Sequence, residues 1–535
     1  MSARFFFSRE GELSRASAKL HRPWHSRTHS GIFIPMLLIH PPAAKTCEPP
    51  AGIARLAGTL RGHGLPCTLL DANLEGQMFL LAAPTPGTDT WSLRAGRNLN
   101  DNLAALRTPE LYQNPSRYRR AVADVNRVLE QTGQRRLSLS LANYQEQGLS
   151  PLSSADLIRA AEKPEANIFF PYFAARLPGL IEKARPALIG ISLNYLSQAP
   201  TSFAMIGFLK KRYPGLPVVL GGGLVTSWLR NPNFRNPFAG LIDHCLAGPG
   251  EEALVRLLSG DFSPRHQTPS YSGLPLAEYL APGLILPYAA SSGCYWNRCL
   301  FCPEKAEGNP YLPISPATVL ADIARLKAAT RPALLHFLDN AVSPALMQAL
   351  AAEPPGLDWY GFARISPLLA EADFCRALRR SGCRMLKLGL ESGDQSVLDA
   401  MNKGQDLTLI EKVLQTLAEA GIATYIYLLF GTPSESLAEA RRTLDFVVRH
   451  HSAITFLNLA VFNMPIGSPE APSVARSEFY GGDLSLYTDF AHPKGWSRKE
   501  IRRFLDQEFK RHPDIARILH RDPPIFTSNH AAFFC

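Results

Sequence analysis

The chain has 535 residues and a formal net charge of +10, with 46% hydrophobic and 19% charged residues. This composition is ordinary for a folded protein, and the length is sufficient for more than one domain. No uninterrupted apolar run approaches the roughly 20 residues that span a bilayer, so the sequence predicts no membrane span. The moderate positive charge comes with no dense Lys/Arg run and interleaved aromatic residues, so nucleic acid is not expected as a partner.

The cysteine content indicates the compartment. The chain has nine cysteines, an odd number, and three of them are clustered. Such a set argues against a disulfide framework and for a reducing compartment, so a cytoplasmic location is expected. Residues 1–35 are rich in Arg, Ser and His, as transit peptides are. We interpret them as a disordered tail or an over-long start.

The first convincing secondary structure is a strand–helix–strand pattern. Residues 36–42 form an apolar run that ends in two prolines, residues 48–60 place apolar side chains on one helical face, and residues 66–73 form a second apolar run. This pattern predicts a parallel sheet with right-handed crossovers. Residues 74–185 interrupt it, and we interpret them as a helical insertion of unknown role within one α/β domain at residues 36–265.

A glycine triplet follows one strand of this sheet. Gly221, Gly222 and Gly223 come directly after the apolar run at residues 217–220. A Gly-rich turn at the carboxyl end of a strand lets the backbone approach a ligand closely, at the edge where open α/β sheets bind ligands. The triplet is therefore a candidate ligand site, and a plain tight turn is the alternative.

Three cysteines lie close together after the apolar run at residues 284–290: Cys294, Cys299 and Cys302. Three thiolates do not complete a structural tetrahedral zinc site, which has four ligands. They can hold a four-iron cluster with one iron left open, because each thiolate ligates one iron. Half of a zinc site and unrelated buried thiols are the alternatives.

The trio, with Phe301 before its last cysteine, resembles the cluster motif of radical SAM enzymes. In that family S-adenosylmethionine chelates the open iron, and one electron from the cluster cleaves it to methionine and a 5′-deoxyadenosyl radical. The usual spacing is three residues and then two, whereas four residues separate Cys294 from Cys299 here. The resemblance implies a 4Fe–4S cluster and S-adenosylmethionine as cofactors, in a loop one residue longer than usual.

Residues 280–470 alternate six apolar runs with helical patterns, and each run ends in polar, glycine or proline residues. This pattern suits a partial parallel barrel whose active site lies at the carboxyl ends of its strands. Strand-end carboxylates and amides suit the ammonium and ribose of S-adenosylmethionine, and an arginine suits its carboxylate. In the family such positions contact the cofactor, so the resemblance implies these cofactor-binding residues: Asp339, Asn340, Arg364, Glu391, Ser392 and Gly431.

The domain before the barrel resembles the cobalamin-binding domain of cobalamin-dependent radical SAM enzymes. The resemblance depends on the strand ending in His40, the loop at Glu48, the triplet at residues 221–223 and the turn at residues 248–252. The Asp-x-His-x-x-Gly signature that supplies a histidine to cobalt is absent. The resemblance therefore implies cobalamin without that ligand, and a degenerate nucleotide-type domain that binds nothing is the alternative.

The predicted fold class is α/β: an N-terminal Rossmann-like cobalamin-binding domain with a helical insertion, a partial (β/α)6 radical SAM barrel, and a small, mostly helical C-terminal segment. That segment, residues 471–535, is expected to cap the substrate. Its basic helix at residues 496–511 is expected to pack on the barrel. Its apolar tail carries His530 and Cys535, which are candidate proton or hydrogen donors.

The resemblance implies an enzyme, a cobalamin-dependent radical SAM methyltransferase acting on an unactivated carbon through the 5′-deoxyadenosyl radical and methylcobalamin. Such a carbon requires a radical, because no general base of ordinary pKa deprotonates it. Rearrangement, ring contraction or C–C bond formation with the same cofactors is one alternative, and a non-catalytic cobalamin or metal sensor is another. The expected partners are a small-molecule or peptide substrate and an electron donor such as flavodoxin or ferredoxin.

Overall fold

The computed structural model describes residues 35–534, except for residues 86, 134–136, 479–480 and 525–529. The predicted tail, apart from its last residue, and the candidate donor Cys535 lie outside the described residues.

The first parallel sheet, as far as the described residues show, has the strands β1 (Met36–His40), β2 (Cys67–Asp71), β3 (Leu188–Ser192), β4 (Val218–Gly221) and β5 (His244–Cys245), in the order β2-β1-β3-β4-β5. Every pairing is parallel. β1 and β3 are buried along their whole length, as expected for central strands covered on both faces. β2 pairs with one edge of β1 and β3 pairs with the other, so the strand order reverses at β1. Open α/β sheets bind ligands at such a switch point.

Helices on both faces of this sheet complete two separate cores. Leu38 of β1 shares one core with Ile53, whereas the next residue, Ile39, shares the other with Phe203, because successive side chains of a strand point to opposite faces. The flanking helices are Ala51–Gly62, Ala199–Arg212, Gly223–Arg230 and Glu251–Ser259.

The chain between β2 and β3 is mainly helical, as the sequence predicts. Its helices are Ala72–Ala82, Thr90–Arg97, Leu99–Ala105, Pro109–Tyr112, Pro115–Thr132, Ser154–Glu162 and Phe170–Ala184. A short antiparallel hairpin, Leu137–Leu139 with Tyr144–Glu146, was not predicted.

The second parallel sheet has the strands β6 (Ile285–Tyr288), β7 (Leu334–Phe337), β8 (Trp359–Ala363), β9 (Cys383–Glu391), β10 (Ala423–Phe430) and β11 (Phe456–Val461). In the described part of the chain these six pair in sequence order, all parallel, and β6 and β11 remain edges. The barrel is therefore partial, and the predicted α/β fold class is confirmed.

The helices that follow the barrel strands have clear start signals. Ser315 and Ser343 each precede a proline and accept a hydrogen bond from a backbone N–H of the first turn, which satisfies one of the free donors of a helix start. The barrel helices are Pro316–Thr330, Pro344–Ala352, Ala372–Arg380, Gln395–Ala400, Leu407–Glu419 and Leu437–Arg449.

The C-terminal segment contains helices, as predicted, together with elements that the sequence did not predict. An antiparallel sheet of Met464–Pro465, Tyr487–Phe490 and Arg476–Glu478 was not predicted, and neither was the helix Pro513–Arg521. The predicted helix at 496–511 is observed as Arg498–Phe504 and a π-helical turn, Leu505–Phe509. Its apolar side packs on the barrel as expected, since Phe504 and Phe509 both contact the Phe430 ring of β10.

The tail covers one end of the barrel. The His530 ring lies 4.3 Å from the Tyr425 ring and 4.6 Å from the Phe456 ring, between centroids, and Phe533 contacts Tyr118 of the insertion. Tyr425 and Phe456 stand near the amino-terminal ends of β10 and β11. His530 therefore lies at the end of the barrel opposite the cysteine loop.

No helix in the described ranges has both the length and the apolar character needed to cross a membrane.

Candidate functional site

The cysteine loop leaves β6 through a tight turn. Ser291–Ser292 pairs antiparallel with Leu312–Pro313, and Gly293 follows at a φ of +74°. A Cβ on Gly293 would lie 2.3 Å from the carbonyl oxygen of Pro310, so only glycine fits this turn. The chain thus enters the cysteine trio in a fixed direction.

Two predicted site residues hold this turn in place. Asp339 at the end of β7 accepts hydrogen bonds from the backbone N–H of Ala290, at 2.9 Å, and from the hydroxyl of Ser291. The side-chain amide of Asn340 donates to the carbonyl of Gly293 at 3.2 Å. Burial raises the pKa of Asp339, and these hydrogen bonds oppose that rise. Both residues therefore lie at the entrance to the cysteine loop.

The residues between Cys294 and Cys299 pack against the barrel. Asn297 adopts a left-handed conformation, with φ of +41°, which asparagine tolerates better than most residues. The preceding Trp296 places its ring 3.7 Å from the Arg364 guanidinium, from carbon to centroid. A Cβ on Gly404 would lie 2.5 Å from the same ring. Trp296, between the first two cysteines, therefore packs on the barrel beside Arg364 and Gly404.

A second segment, residues 401–404, docks directly on the cysteine loop. Leu300 N–H donates to the carbonyl of Met401 at 3.0 Å, and the side-chain amide of Asn402 donates to the carbonyl of Arg298 at 3.3 Å. Lys403 Nζ donates to Oε1 of Glu391 at 2.8 Å. Sequence reasoning missed Lys403, because it lies in a turn rather than at a strand end. An Asn-x-Gly turn with a central lysine was the available signal.

The pKa of Cys299 is raised overall, with opposing contributions from the charges around it. Burial raises the pKa of Cys299, whereas Lys403 and Arg364 lower it. Glu391 and Cys294 raise it too. Burial also raises the pKa of Cys302 to about 11, and the other two thiols of the trio raise it further. The three thiols are therefore close enough to influence one another, beside two cations.

Arg364, Glu391 and the cysteines meet in one place, whereas Ser392 does not join them. Arg364 donates to the carbonyls of Lys403 and Gly404 beside Cys299. Ser392 is fully buried, and its hydroxyl contacts Thr443 of an outer helix.

Gly431 lies at the end of β10. It adopts a φ of +84°, and a Cβ there would lie 2.4 Å from Ile501 of the C-terminal helix. Its backbone N–H donates to Oε2 of Glu435.

A cavity of about 530 Å³ connects the first sheet to the cysteine loop. Gly190 of β3 and the triplet Gly221, Gly222 and Gly223 line one side. The other side is lined by residues of the cysteine loop, among them Ser292, Gly293, Pro303 and Glu304. A Cβ on Gly221 would have only Leu246 within contact range, at 3.7 and 3.8 Å, so this glycine leaves open space in the cavity.

The cysteine loop and the barrel match a known family. Residues 288–447 match the model of the Radical SAM superfamily. The barrel is a radical SAM domain. The match begins at the last residue of β6 and includes the cysteine trio, Arg364, Glu391 and Lys403.

Two curated relatives are similar in sequence to this chain. The "Uncharacterized methyltransferase PH0819" of Pyrococcus horikoshii is 25% identical over 186 residues, which are 33% of this chain and 40% of that protein. The "Bacteriochlorophyllide d C-12(1)-methyltransferase" of Chlorobaculum tepidum is 25% identical over 195 residues, 35% of this chain and 41% of that protein. The chain thus spans about two fifths of the length of these relatives.

A solved structure shares the fold beyond the radical SAM domain. TsrM, a radical S-adenosylmethionine methyltransferase from Kitasatospora setae, was solved with cobalamin and a [4Fe-4S] cluster bound. It has a TM-score of 0.51 and 16% identity to this chain, covering 84% of this chain and 76% of TsrM. The likeness extends over most of the chain and shows a shared fold.

The donors of the radical SAM domain fit an iron–sulfur cluster. Cys294, Cys299 and Cys302 are half-buried free thiols on one loop, and thiolates are the ligands that such clusters take. Among the described residues, no three His, Cys, Asp or Glu side chains are arranged around one metal ion. In a four-iron cluster each thiolate ligates a different iron, so its ligands stand farther apart than those of one ion.

Proposed function

We propose that this protein is a cobalamin-dependent radical SAM methyltransferase that methylates an unactivated carbon. The observation that carries the proposal is the cavity between Gly221–Gly223 and the cysteine loop, because a cofactor of the first domain would there face the radical SAM domain directly. When bound, the cluster and S-adenosylmethionine supply hydrogen-atom abstraction and cobalamin supplies the methyl group.

Each part of the chain has a distinct task in this proposal. We assign cobalamin binding to residues 36–265, cluster and S-adenosylmethionine binding to residues 280–470, and substrate capping to residues 471–535. The two separate parallel sheets, each with its own helices, support the first two assignments.

The charges at the radical SAM site suit the polar groups of S-adenosylmethionine. Cys294, Cys299 and Cys302 would hold the cluster. The Glu391 carboxylate would accept hydrogen bonds from the ammonium or ribose, and Arg364 and Lys403 would face the carboxylate. Asp339 and Asn340 hold the turn that leads into the trio, so they would act by positioning it.

The substrate would enter where the two sheets face each other. Tyr195, after β3, retains 56% of its surface. Leu338, after β7, also retains 39% of its surface. Both side chains are exposed at strand ends that face the cofactor sites in this proposal, so a substrate could contact them.

The partners follow from this chemistry. We propose a small-molecule or peptide substrate, and a one-electron donor such as flavodoxin or ferredoxin. A cytoplasmic location is part of the proposal, because the cluster thiolates must stay reduced. Every cysteine in the described ranges is a free thiol, in keeping with such a compartment.

The decisive experiment combines anaerobic reconstitution with a labelled methyl donor. The protein is loaded with iron, sulfide and hydroxocobalamin, reduced, and incubated with trideuteromethyl-labelled S-adenosylmethionine and a metabolite extract. Deoxyadenosine release together with a product carrying the labelled methyl group is expected. An unlabelled, isomerised product would contradict methylation, and absence of deoxyadenosine would contradict radical chemistry altogether.

A further inference from the structure

A hydrogen-bonded chain of three ionisable side chains crosses from the first domain into the barrel. Oε2 of Glu48 lies 2.9 Å from Nδ1 of His336, and Nε2 of His336 lies 3.1 Å from Nζ of Lys387. Glu48 belongs to the loop after β1, whereas His336 and Lys387 belong to β7 and β9. His336 and Lys387 retain 4% and 1% of their surface. The side chain of Glu48 retains 17% of its surface, so this contact between the two domains is buried at its barrel end and partly open to solvent at Glu48.

Aromatic rings surround the cationic end of this chain. The Tyr360 ring stacks on the His336 imidazole, with 4.3 Å between centroids, and the Lys387 ammonium lies 4.7 Å from the Phe362 ring. Ring faces support a cation but do not replace the hydrogen bonds of water. Burial accordingly lowers the pKa of Lys387 to about 7, and Glu48 opposes that shift. Lys387 therefore changes its protonation near neutral pH.

Other ionisable groups face the chain from the same loop and from neighbouring elements: Lys45, Cys47, Tyr195 and Tyr271. Lys45 lowers the pKa of both Lys387 and His336, and burial is the main cause that lowers the pKa of His336. Protonation of both His336 and Lys387 would place two cations beside Lys45 in a poorly solvated interior, which costs free energy. The chain thus gains a proton only at a cost to the contact between the domains.

The hydrogen bonds can be oriented from their ends. The Glu48 carboxylate only accepts, so we assign the hydrogen to Nδ1 of His336, and Nε2 then accepts from Lys387. Lys387 can donate as an ammonium or as an amine. The hydrogen bonds that link Glu48, His336 and Lys387 therefore form whether Lys387 is protonated or neutral. Protonation of Lys387 changes the charge at the contact but not these hydrogen bonds.

Glu48 is coupled to the cavity through a short, stiff connection. Pro49 and Pro50 follow it directly and lead into the helix Ala51–Gly62. Gly52 and Arg55 of that helix line the cavity of about 530 Å³. Because proline fixes its own φ angle, the position of Glu48 determines where the helix begins.

We propose that Glu48, His336 and Lys387 are positioning residues for methyl transfer, which seat the loop at residues 43–50 in the barrel and so fix the distance between the glycine-lined cavity and the cysteine loop. This inference rests on the proposed function. A misplacement of about 1 Å costs on the order of 10²-fold in rate, so a rigid link between the domains has a direct kinetic value.

Hydrogen exchange of the full-length protein, with and without hydroxocobalamin, measures how strongly residues 43–50 are held against the barrel, through the exchange rate of their backbone amides. Lys387→Met and Glu48→Gln are each expected to speed exchange in this peptide by about tenfold. Lys210→Met is the matched control, because Lys210 pairs with Asp243 within the first domain, and it should leave the peptide unchanged. The double variant should exchange no faster than the single ones, since both act through one chain. Unchanged exchange in the single variants, or additive effects in the double variant, would overturn the proposal.

The pH dependence of exchange gives a second readout that does not require a variant to fold. Unseating of residues 43–50 would admit water to Lys387 and so raise its pKa, which burial lowers in the seated state, and the seating should therefore strengthen as the pH rises from about 7 to about 10. After correction for intrinsic exchange, protection of residues 43–50 should rise over that range in the wild type and stay flat in Lys387→Met. A flat wild-type profile would overturn the proposal by itself.

A third readout separates this inference from the proposed function. With added hydroxocobalamin, S-adenosylmethionine and titanium(III) citrate, Lys387→Met should release deoxyadenosine within about twofold of wild type. Its transfer of a methyl group to the added cobalamin should fall by about tenfold or more. Equal loss of both activities would overturn the positioning role. Wild-type protein that binds no iron or cobalamin would reject the proposed function, while the exchange measurements would still decide whether the chain seats the loop.

Discussion

Lys403 and Glu391 form an ion pair beside the cysteine loop, with 2.8 Å between Nζ and Oε1, and the two side chains retain 9% and 12% of their surface. Glu391 reaches this position through an irregularity in the pairing of β9 with β10, where it adopts a φ of +69°. Such strained conformations persist at functional sites, where the surrounding structure enforces them. The pair also stands beside Cys299, whose pKa Lys403 lowers and Glu391 raises.

Replacement of Lys403 tests the pair. Lys403→Met leaves the Glu391 carboxylate without its cation, and truncating one partner of a buried pair costs about 2–5 kcal/mol. We expect deoxyadenosine release from S-adenosylmethionine to fall by about 10²-fold, while iron content stays at the wild-type level because the cysteines are intact. The matched control is Lys412→Met, at an exposed position of the helix Leu407–Glu419. If Lys403→Met released deoxyadenosine at the wild-type rate, Lys403 would have no role in S-adenosylmethionine cleavage.

Filling the cavity tests cobalamin binding. Gly221→Leu places a side chain into open space, since a Cβ there meets no atom closer than 3.7 Å. We expect hydroxocobalamin to bind at least about tenfold more weakly, a loss of about 1.4 kcal/mol or more, with no decrease in melting temperature. Titration followed by absorbance measures the affinity. Gly179→Leu, in a helix and with open space around it, is the control, and equal affinity of the two variants would place cobalamin elsewhere.

The buried carboxyl of Glu435 predicts a pH dependence of stability. Burial raises the pKa of Glu435 to about 8, and Oε1 has no partner within the described residues. Between about pH 4.5 and pH 8 the native state therefore holds a proton that the unfolded state has lost, so this group makes the free energy of unfolding fall as the pH rises. Glu435→Gln should reduce that fall by about 2–4 kcal/mol between about pH 5 and pH 8.

Urea denaturation at both pH values measures this difference. Glu419→Gln, at an exposed position, is the control and should retain the wild-type slope. If Glu435→Gln also kept that slope, Glu435 would be ionised in the native protein.

The sequence predicted what depends on local pattern. Apolar runs gave the strands, and because parallel strands bring their carboxyl ends to one edge, Asp339 and Glu391 lie beside the cysteine loop. Ser392 shows the limit of that rule. Side chains alternate between the faces of a strand, so the residue after Glu391 is buried on the opposite side.

Contacts between distant residues could not be predicted in this way. Lys403 reaches Glu391 from a turn, and Glu48 reaches His336 across 288 positions of sequence, so no local periodicity reports either contact. The C-terminal sheet has strands of two to four residues, such as Met464–Pro465, which are too short to show an alternating pattern. His530 lies at the opposite end of the barrel from the cysteine loop, so its position does not support the donor role. Cys535 lies outside the described residues, and its role stays a prediction.

The central claim is that Cys294, Cys299 and Cys302 hold a four-iron cluster that cleaves S-adenosylmethionine. The most direct measurement is the iron content and deoxyadenosine release of anaerobically reconstituted protein, wild type against the triple alanine variant. Cys67→Ala, at a half-buried thiol of the first domain, is the control. The account predicts about four irons per chain and deoxyadenosine release in the wild type and the control, and loss of both in the triple variant. Full iron content and undiminished release in the triple variant would contradict it.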